Sequence, residues 1–359
     1  MKKIQLILFG IGNVGSTFIN QIIQAQKVFQ QQGLEIEIPI ILNSSTAFIK
    51  DEGVDENWKA NFVDFGLPYQ VEEIIDYVKN KNWQHIVAID ATASSEFVNN
   101  YTNLVENGFH IIAANKVANT LAYDDYEFFR EILKENRKHF LYETNVGAGL
   151  PVVETIKNLH QSGEKVTKIR GVFSGSLSYI FNTFSEENKN FSDIVALAEE
   201  KGFTEPDPRV DLSGTDVARK LLILARELQL TYNLEDVKVK SLVPAHLAET
   251  TSVTTFQENI TDLDEEFQLL KADLNENEVL RYIGELDVEK EILEVKLVKE
   301  QKENPLGALQ GADSLFEIYT ESYGNQPLVI QGAGAGAAVT ARGVVSDVIK
   351  LAERIDCCN

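Results

Sequence analysis

The sequence predicts an α/β protein in which a doubly wound parallel sheet is joined to a second, α+β domain. Three observations predict it. Strand-like and helix-like stretches alternate through residues 1–144, glycines punctuate the first strand-to-helix junction, and the alternation stops after Asn145-Val146-Gly147-Ala148-Gly149-Leu150-Pro151.

The first strand is Ile4 to Phe9, preceded by Met1-Lys2-Lys3. This start superficially resembles a secretion signal, but Gln5 interrupts it and glycines end it before a cleavage site, so it reads as a buried strand. Phe18, Ile19, Ile22, Ile23 and Phe29 then recur at helical spacing, and Ile36 to Leu42 forms the next strand, completing one βαβ unit. The series continues with helix Val71 to Val78, strand Ile86 to Ile89, helix Phe97 to Val105, strand Ile111 to Ala113, helix Tyr123 to Leu133 and strand Phe140 to Tyr142. Helices between parallel strands must cover both faces of the sheet.

Past Pro151, a strand is expected around Ile169 to Phe173 and a long helix from Asp216 to Leu228. The acidic stretch Asp262 to Glu289 reads as solvated surface. Gln331 to Ala338, rich in glycine and alanine, leads into a helix from Thr340 to Ile355 whose Val344, Val345, Val348 and Leu351 could return to the first sheet. The expected division is therefore 1–144 with 335–359, then 145–286, then 287–334.

Composition narrows the function classes. The 359 residues carry a formal net charge of −22, which repels phosphate backbones and anionic lipid, so neither a nucleic acid nor a membrane surface is expected as partner. No apolar run approaches the roughly 20 residues of a spanning helix, and a cytoplasmic protein acting on small molecules is expected. The two cysteines, Cys357 and Cys358, are adjacent at the C-terminal tip, where they support neither a disulfide framework nor an internal nucleophile. His85, His110, His139, His160 and His246 show no metal-ligand spacing, so no zinc site is expected.

Gly10, Gly12 and Gly15 spell Gly-x-Gly-x-x-Gly directly after a strand and at the opening of a helix, the context of a Rossmann-type dinucleotide site. Gly10 permits the tight turn, Gly12 lets the backbone approach a pyrophosphate, and Gly15 lets helix and strand pack closely. The end of the second strand reads Asn43-Ser44-Ser45, without the acidic residue that usually holds the ribose of NAD. NADP is the expected cofactor, with NAD also usable. In Gly202 to Lys220, Val217, Leu221, Leu224, Ala225 and Leu228 mark a buried stripe, while Asp216 and Lys220, four residues apart, share a neighbouring face. Spacing alone leaves open a surface ion pair.

The sequence resembles homoserine dehydrogenase across essentially its whole length. The resemblance is carried by Gly10 to Gly15, Ala113-Ala114-Asn115-Lys116, Tyr142-Glu143 with Val146 to Pro151, Gly171 to Ser176, Gly202 to Lys220 and Gly332 to Gly336. It implies reversible reduction of aspartate 4-semialdehyde to homoserine. By the same resemblance Lys220 is the acid/base lysine, Asp216 holds it and binds substrate, Glu205 binds the substrate amino group, and Lys116 lies near nicotinamide and substrate. Gly10, Ile11, Gly12, Asn13, Val14, Gly15, Thr92, Lys116, Gly202 and Gly336 match cofactor contacts. Glu143 with the carbonyls of Val146, Ala148 and Leu150 matches a sodium site, and part of Asp287 to Gln331 is expected to build a homodimer. The resemblance is to a monofunctional form: no C-terminal ACT domain or fused kinase is expected, and hence no threonine feedback through such a domain.

Three rivals remain. Aspartate-semialdehyde dehydrogenase chemistry requires a cysteine nucleophile, for which Cys357 and Cys358 are poorly placed. Another Rossmann dehydrogenase acting on a different 2-amino acid would keep most of the motifs. A non-catalytic dinucleotide sensor would keep the glycine turn but need no Asp216, Lys220 and Glu205.

Overall fold

The computed structural model describes residues 1–248 and 252–355, so Cys357 and Cys358 lie outside the described residues. The chain forms two compact units, Met1–Gly149 together with the chain from Gly336, and Leu150–Ala335.

The first unit runs β1 (Lys2–Phe9), α1 (Asn13–Gln31), β2 (Leu34–Leu42), β3 (Thr46–Ile49), α2 (Trp58–Phe65), β4 (Leu67–Pro68), α3 (Val71–Lys81), β5 (Ile86–Asp90), α4 (Tyr101–Glu106), β6 (His110–Ala113), α5 (Tyr123–Glu135) and β7 (Phe140–Leu141). Its sheet has the order β4-β3-β2-β1-β5-β6-β7. The pairs from β2 to β7 through β1 are parallel, while β3 and β4 add an antiparallel edge that periodicity did not predict. The run Ile4 to Phe9 lies in the central strand and is fully buried.

Alternation along β1 dictates the layering. Leu6 and Leu8 pack with Phe18, Ile19 and Ile22 of α1, whereas Phe9 meets Phe97, which in turn contacts Tyr101. The last helix of the chain, spanning Ala337–Ile355, joins α1 by burying Val344, Val345, Val348 and Leu351 in the same cluster. The expected helix Phe97 to Val105 is instead a 3₁₀ turn, Phe97–Asn100, running into α4.

The second unit contains α6 (Val152–Gln161), β8 (Val166–Val172), α7 (Gly175–Glu186), α8 (Phe191–Glu200), α9 (Pro208–Leu212), α10 (Thr215–Glu227), β9 (Lys238–Val239), α11 (Val253–Asn259), α12 (Asp264–Ala272), β10 (Glu278–Asp287), β11 (Ile292–Gln301), α13 (Pro305–Ala308), β12 (Ser314–Thr320) and β13 (Leu328–Gly332). Its sheet has the order β13-β12-β8-β10-β11-β9, so strands from segment 287–334 share one sheet with β8 and β10.

Asp262 to Glu289 is not all solvated surface, because β10 is an interior strand. Its Arg281 is buried and donates to the carbonyls of Leu306, Gly307 and Leu309, an interior use of charge that a charge count cannot register.

Candidate active site

The glycine turn after β1 has the geometry its sequence requires. Gly10 adopts φ +94°, and a Cβ there would lie 2.8 Å from the Ala91 carbonyl. A Cβ on Gly15 would collide with the carbonyl oxygen of Gly10, while one on Gly12 would meet nothing within 4 Å. Gly12 thus faces open space and Gly15 faces protein. The N-terminus of α1, at Asn13, Val14 and Gly15, has no side-chain cap, so its first N–H groups are not taken by a capping side chain. An anionic diphosphate fits such a helix start, and Ile11, packed against the core beneath it, holds the turn to the sheet.

At the end of β2, the Asn43 side chain accepts the N–H groups of Ser45 at 2.9 Å and Thr46 at 2.7 Å, closing a tight turn. Ser44 and Ser45 are exposed there, and no carboxylate stands in the turn.

Two further loops leave the same carboxyl edge of the sheet. Thr92 follows β5, where its N–H donates to Asp90 at 2.8 Å. Asp90 is buried and also accepts the Tyr101 hydroxyl at 2.7 Å; burial pushes its carboxyl above the usual range, against the pull of those hydrogen bonds. Lys116 follows β6, half-buried, at the start of a 3₁₀ turn Val117–Asn119.

Glu143 opens the turn after β7. Its N–H donates to buried Asp347, and its carboxylate lies 3.6 Å from the Lys350 ammonium. Gly147 and Ala148 are both left-handed, with φ +77° and +53°; for alanine this is a strained conformation that surrounding structure must enforce. Val146 is fully buried, and Gly336 is left-handed at φ +111°. Leu150 begins the second unit, where its carbonyl accepts the Val152 N–H. Within the first unit, the Glu143 carboxylate and the carbonyls of Val146 and Ala148 offer oxygen alone, the chemistry that fits a hard cation. Among the described residues no group of His, Cys, Asp and Glu is arranged for a transition metal.

In the second unit, the segment from Gly202 to Lys220 folds around α9 and the start of α10. Gly202, at φ +71°, ends α8 through its N–H to the Glu199 carbonyl, with Phe203 N–H on Ala198. Asp207 caps α9 and binds the buried Arg209 guanidinium. Gly214, at φ +75°, starts α10, where a side chain would run into the Tyr282 hydroxyl. That packing fixes the helix that carries Asp216 and Lys220.

Their nitrogen and oxygen are 2.8 Å apart, and the Lys220 ammonium also donates to the Phe173 carbonyl at 2.8 Å. Lys220 is only 9% exposed, whereas the Asp216 side chain is 42% exposed, so the pair is no ordinary surface bridge. An ammonium has three N–H groups, and these two acceptors leave one for a third oxygen.

Sequence reasoning assigned nothing to Asp211, which the structure places at the centre of this segment. It accepts the Ser176 hydroxyl at 2.6 Å and the Glu205 N–H at 2.8 Å, tying the Glu205 loop to the β8–α7 turn. Burial chiefly, with the charge of Asp216 adding, raises its carboxyl above the ordinary range. The Glu205 side chain itself is exposed. Asp207, Asp211 and Asp216 recur along one short stretch, a signal that something there needs carboxylates, but not which one does what.

The turn and its parallel sheet place the first unit among dinucleotide-binding domains. A family model described as the NAD binding domain of homoserine dehydrogenase matches residues 10–143, and the homoserine dehydrogenase model matches 151–349. The chain belongs to the homoserine dehydrogenase family, whose members are NAD(P)-dependent oxidoreductases.

Among relatives, the chain is 38% identical over 349 residues to the chloroplastic bifunctional aspartokinase/homoserine dehydrogenase 2 of Zea mays, covering 96% of this chain and 38% of that one. It is 36% identical to bifunctional aspartokinase/homoserine dehydrogenase 2 of Escherichia coli, covering 98% and 44%. The chain thus spans about two fifths of the length of these relatives. A Candida auris crystal structure of unknown function superposes with a TM-score of 0.90 at 35% identity, over 99% of each chain. A hyperthermophilic archaeal homoserine dehydrogenase in complex with NADPH shares the fold, with a TM-score of 0.74 at 22% identity over 98% of each chain.

Proposed function

We propose that the protein catalyses the reversible NAD(P)-dependent reduction of aspartate 4-semialdehyde to homoserine. The observation that carries this reading is the buried Lys220 ammonium, fixed by Asp216 and Phe173 with one N–H left to give.

A nicotinamide held at the glycine turn would supply the hydride chemistry of both directions, to the aldehyde and from the alcohol. The developing alkoxide needs a proton, and Lys220 is the group held to deliver it; in homoserine oxidation the same nitrogen receives it through its third position. Asp216 orients that ammonium and, being half-exposed, also reaches substrate. Glu205, exposed on a loop fixed through its backbone by Asp211, pairs with the substrate ammonium, a charge-assisted contact that selects a 2-amino acid. Lys116 acts beside the reacting groups. Gly10 to Gly15, Thr92, Gly202 and Gly336 hold the cofactor.

NADP is the preferred cofactor because the Asn43–Thr46 turn presents hydroxyls and no carboxylate to repel a 2′-phosphate; NAD serves as a second choice. Sodium would be held by Glu143 and the carbonyls of Val146, Ala148 and Leu150, where it would stiffen a turn that already carries a strained alanine. The working form is a cytoplasmic homodimer assembled through segment 287–334, whose β13 is an edge strand of its sheet.

Assaying homoserine oxidation with NADP and with NAD, beside other 2-amino alcohols of similar size, tests this reading. Homoserine is expected to be turned over at least tenfold more efficiently than the others. Equal use of several amino alcohols would favour a different amino-acid dehydrogenase, and a hundredfold preference for NAD would overturn the cofactor assignment.

A further inference from the structure

Lys116 is flanked by two buried asparagines whose hydrogen bonds the proposed reaction does not use. Asn115 donates to the Ser94 carbonyl at 2.8 Å and accepts the Val117 N–H at 3.0 Å, joining the loops after β5 and β6. Asn119, also buried, closes the 3₁₀ turn with its N–H on the Lys116 carbonyl at 3.1 Å. Its side chain donates to Asn145 at 2.9 Å, and fully buried Asn145 donates in turn to the Ala113 carbonyl at 2.8 Å, the last residue of β6. Arg130 completes the chain, donating to the Asn119 oxygen at 2.6 Å while its guanidinium lies over Tyr126, Phe140 and Tyr142.

Every one of these bonds ends within three residues of Lys116 or within the Glu143–Asn145 turn. A buried amide that merely needed satisfying could bond to its own loop; this pair reaches across two loops and brings an arginine in from α5. Satisfied buried networks rigidify what they join, because breaking one bond leaves a desolvated polar group.

We propose that the Asn119–Asn145 bridge is a positioning device that aims Lys116, by locking its loop to the turn after β7. It rests on the reading above in one respect, that Lys116 acts in the reaction. Asn145 lies two residues beyond Glu143, so the bridge also makes the order of that turn and the aim of Lys116 one mechanical unit.

Asn119→Asp tests it. The change is isosteric and keeps an oxygen for Arg130, but it replaces the N–H given to Asn145 by a repelling oxygen. The cofactor-free protein is expected to show at least tenfold faster hydrogen exchange at the Val117 and Asn119 amides. Turnover is expected to fall about tenfold, with cofactor affinity, read by quenching of intrinsic fluorescence, within twofold. The decisive arm is a cycle with Lys116→Ala. If Asn119 acts through Lys116, adding Asn119→Asp to the alanine variant changes turnover less than twofold.

Multiplying effects, or unchanged exchange and turnover in the single variant, overturn the proposal while leaving Lys116 its role. Near-normal turnover of Lys116→Ala removes that role, and the proposal falls with it. Should Asn119→Asp lower the melting temperature by several degrees, Asn119→Ser, which is shorter and uncharged, replaces it in the same cycle with the same expected outcomes.

Discussion

The two units build their sites from different material. In the first, the cofactor cradle is made of backbone: absent Cβ atoms at Gly10, Gly12 and Gly15 and uncapped N–H groups at the start of α1. In the second, the site is made of side chains, Lys220 held by Asp216 and Phe173, and Glu205 held through Asp211. A backbone site works by shape and dipole, so it tolerates exchange of neighbouring side chains but no added atom. A side-chain site works by one proton at one place, so its loss should be confined to chemistry.

The largest expected effect belongs to the second kind. Lys220→Ala removes the only group proposed to carry the proton, and turnover should drop by about 10²–10⁴-fold, the usual worth of a positioned acid or base. Cofactor binding, measured by fluorescence quenching, should stay within twofold because the glycine turn proposed to receive the pyrophosphate belongs to the other unit. A variant that retains near-normal turnover would remove Lys220 from the chemistry, and one that loses the cofactor would erase the contrast between the sites.

Within the backbone site, alanine at two glycines should behave oppositely. Gly15→Ala drives a Cβ into the Gly10 carbonyl, so it should cost about 1–3 kcal/mol of stability and lower the thermal midpoint. Gly12→Ala adds a methyl to open space, so the thermal midpoint should hold while NADP affinity weakens about tenfold or more. Thermal melts with and without cofactor separate these outcomes. Equal destabilisation by both would mean that Gly12 serves packing rather than ligand approach.

The same contrast governs how much of the molecule could be read in advance. The glycine turn was legible because a missing side chain is itself a letter of the sequence, and β1, α1 and β2 were legible because burial on a sheet enforces apolar runs. The strands β11, β12 and β13 were not delineated, although Leu293, Val295 and Leu297 alternate with Glu294 and Lys296 in β11. The charges of β10, within Asp262 to Glu289, read as surface, since nothing in a sequence shows that Arg281 finds four carbonyls. Asp216 and Lys220 were legible as neighbours from helical spacing, yet the burial of Lys220 was not. Burial of Lys220 depends on α10 packing in its unit and on the Phe173 carbonyl, 47 residues away in sequence. Asp211 and the Asn119–Asn145 bridge escaped for the same reason: their partners are set by tertiary contact alone.

At the opposite, amino-terminal edge of the first sheet a side chain serves stability alone. His110 opens β6, is buried, and stacks on His139 with ring centroids 5.4 Å apart. Its Nδ1 accepts the His139 N–H at 3.0 Å, so a proton on that nitrogen would break the hydrogen bond that ties the start of β6 to the residue before β7. Burial first, then the nearby charges of Lys138, His139 and His85, push its imidazole down from 6.5 to about 3. The unfolded chain therefore binds this proton before the folded one does. Stability from His110 is present above pH 6.5 and is lost as pH falls from there toward 3, at up to about 1.4 kcal/mol per pH unit. Urea unfolding followed between pH 8 and pH 4 should show this loss. In His110→Asn, whose amide oxygen can accept the same N–H, the acid slope should shrink by about one proton. An unchanged slope in that variant would move the acid sensitivity elsewhere, to the carboxylates of the salt bridges.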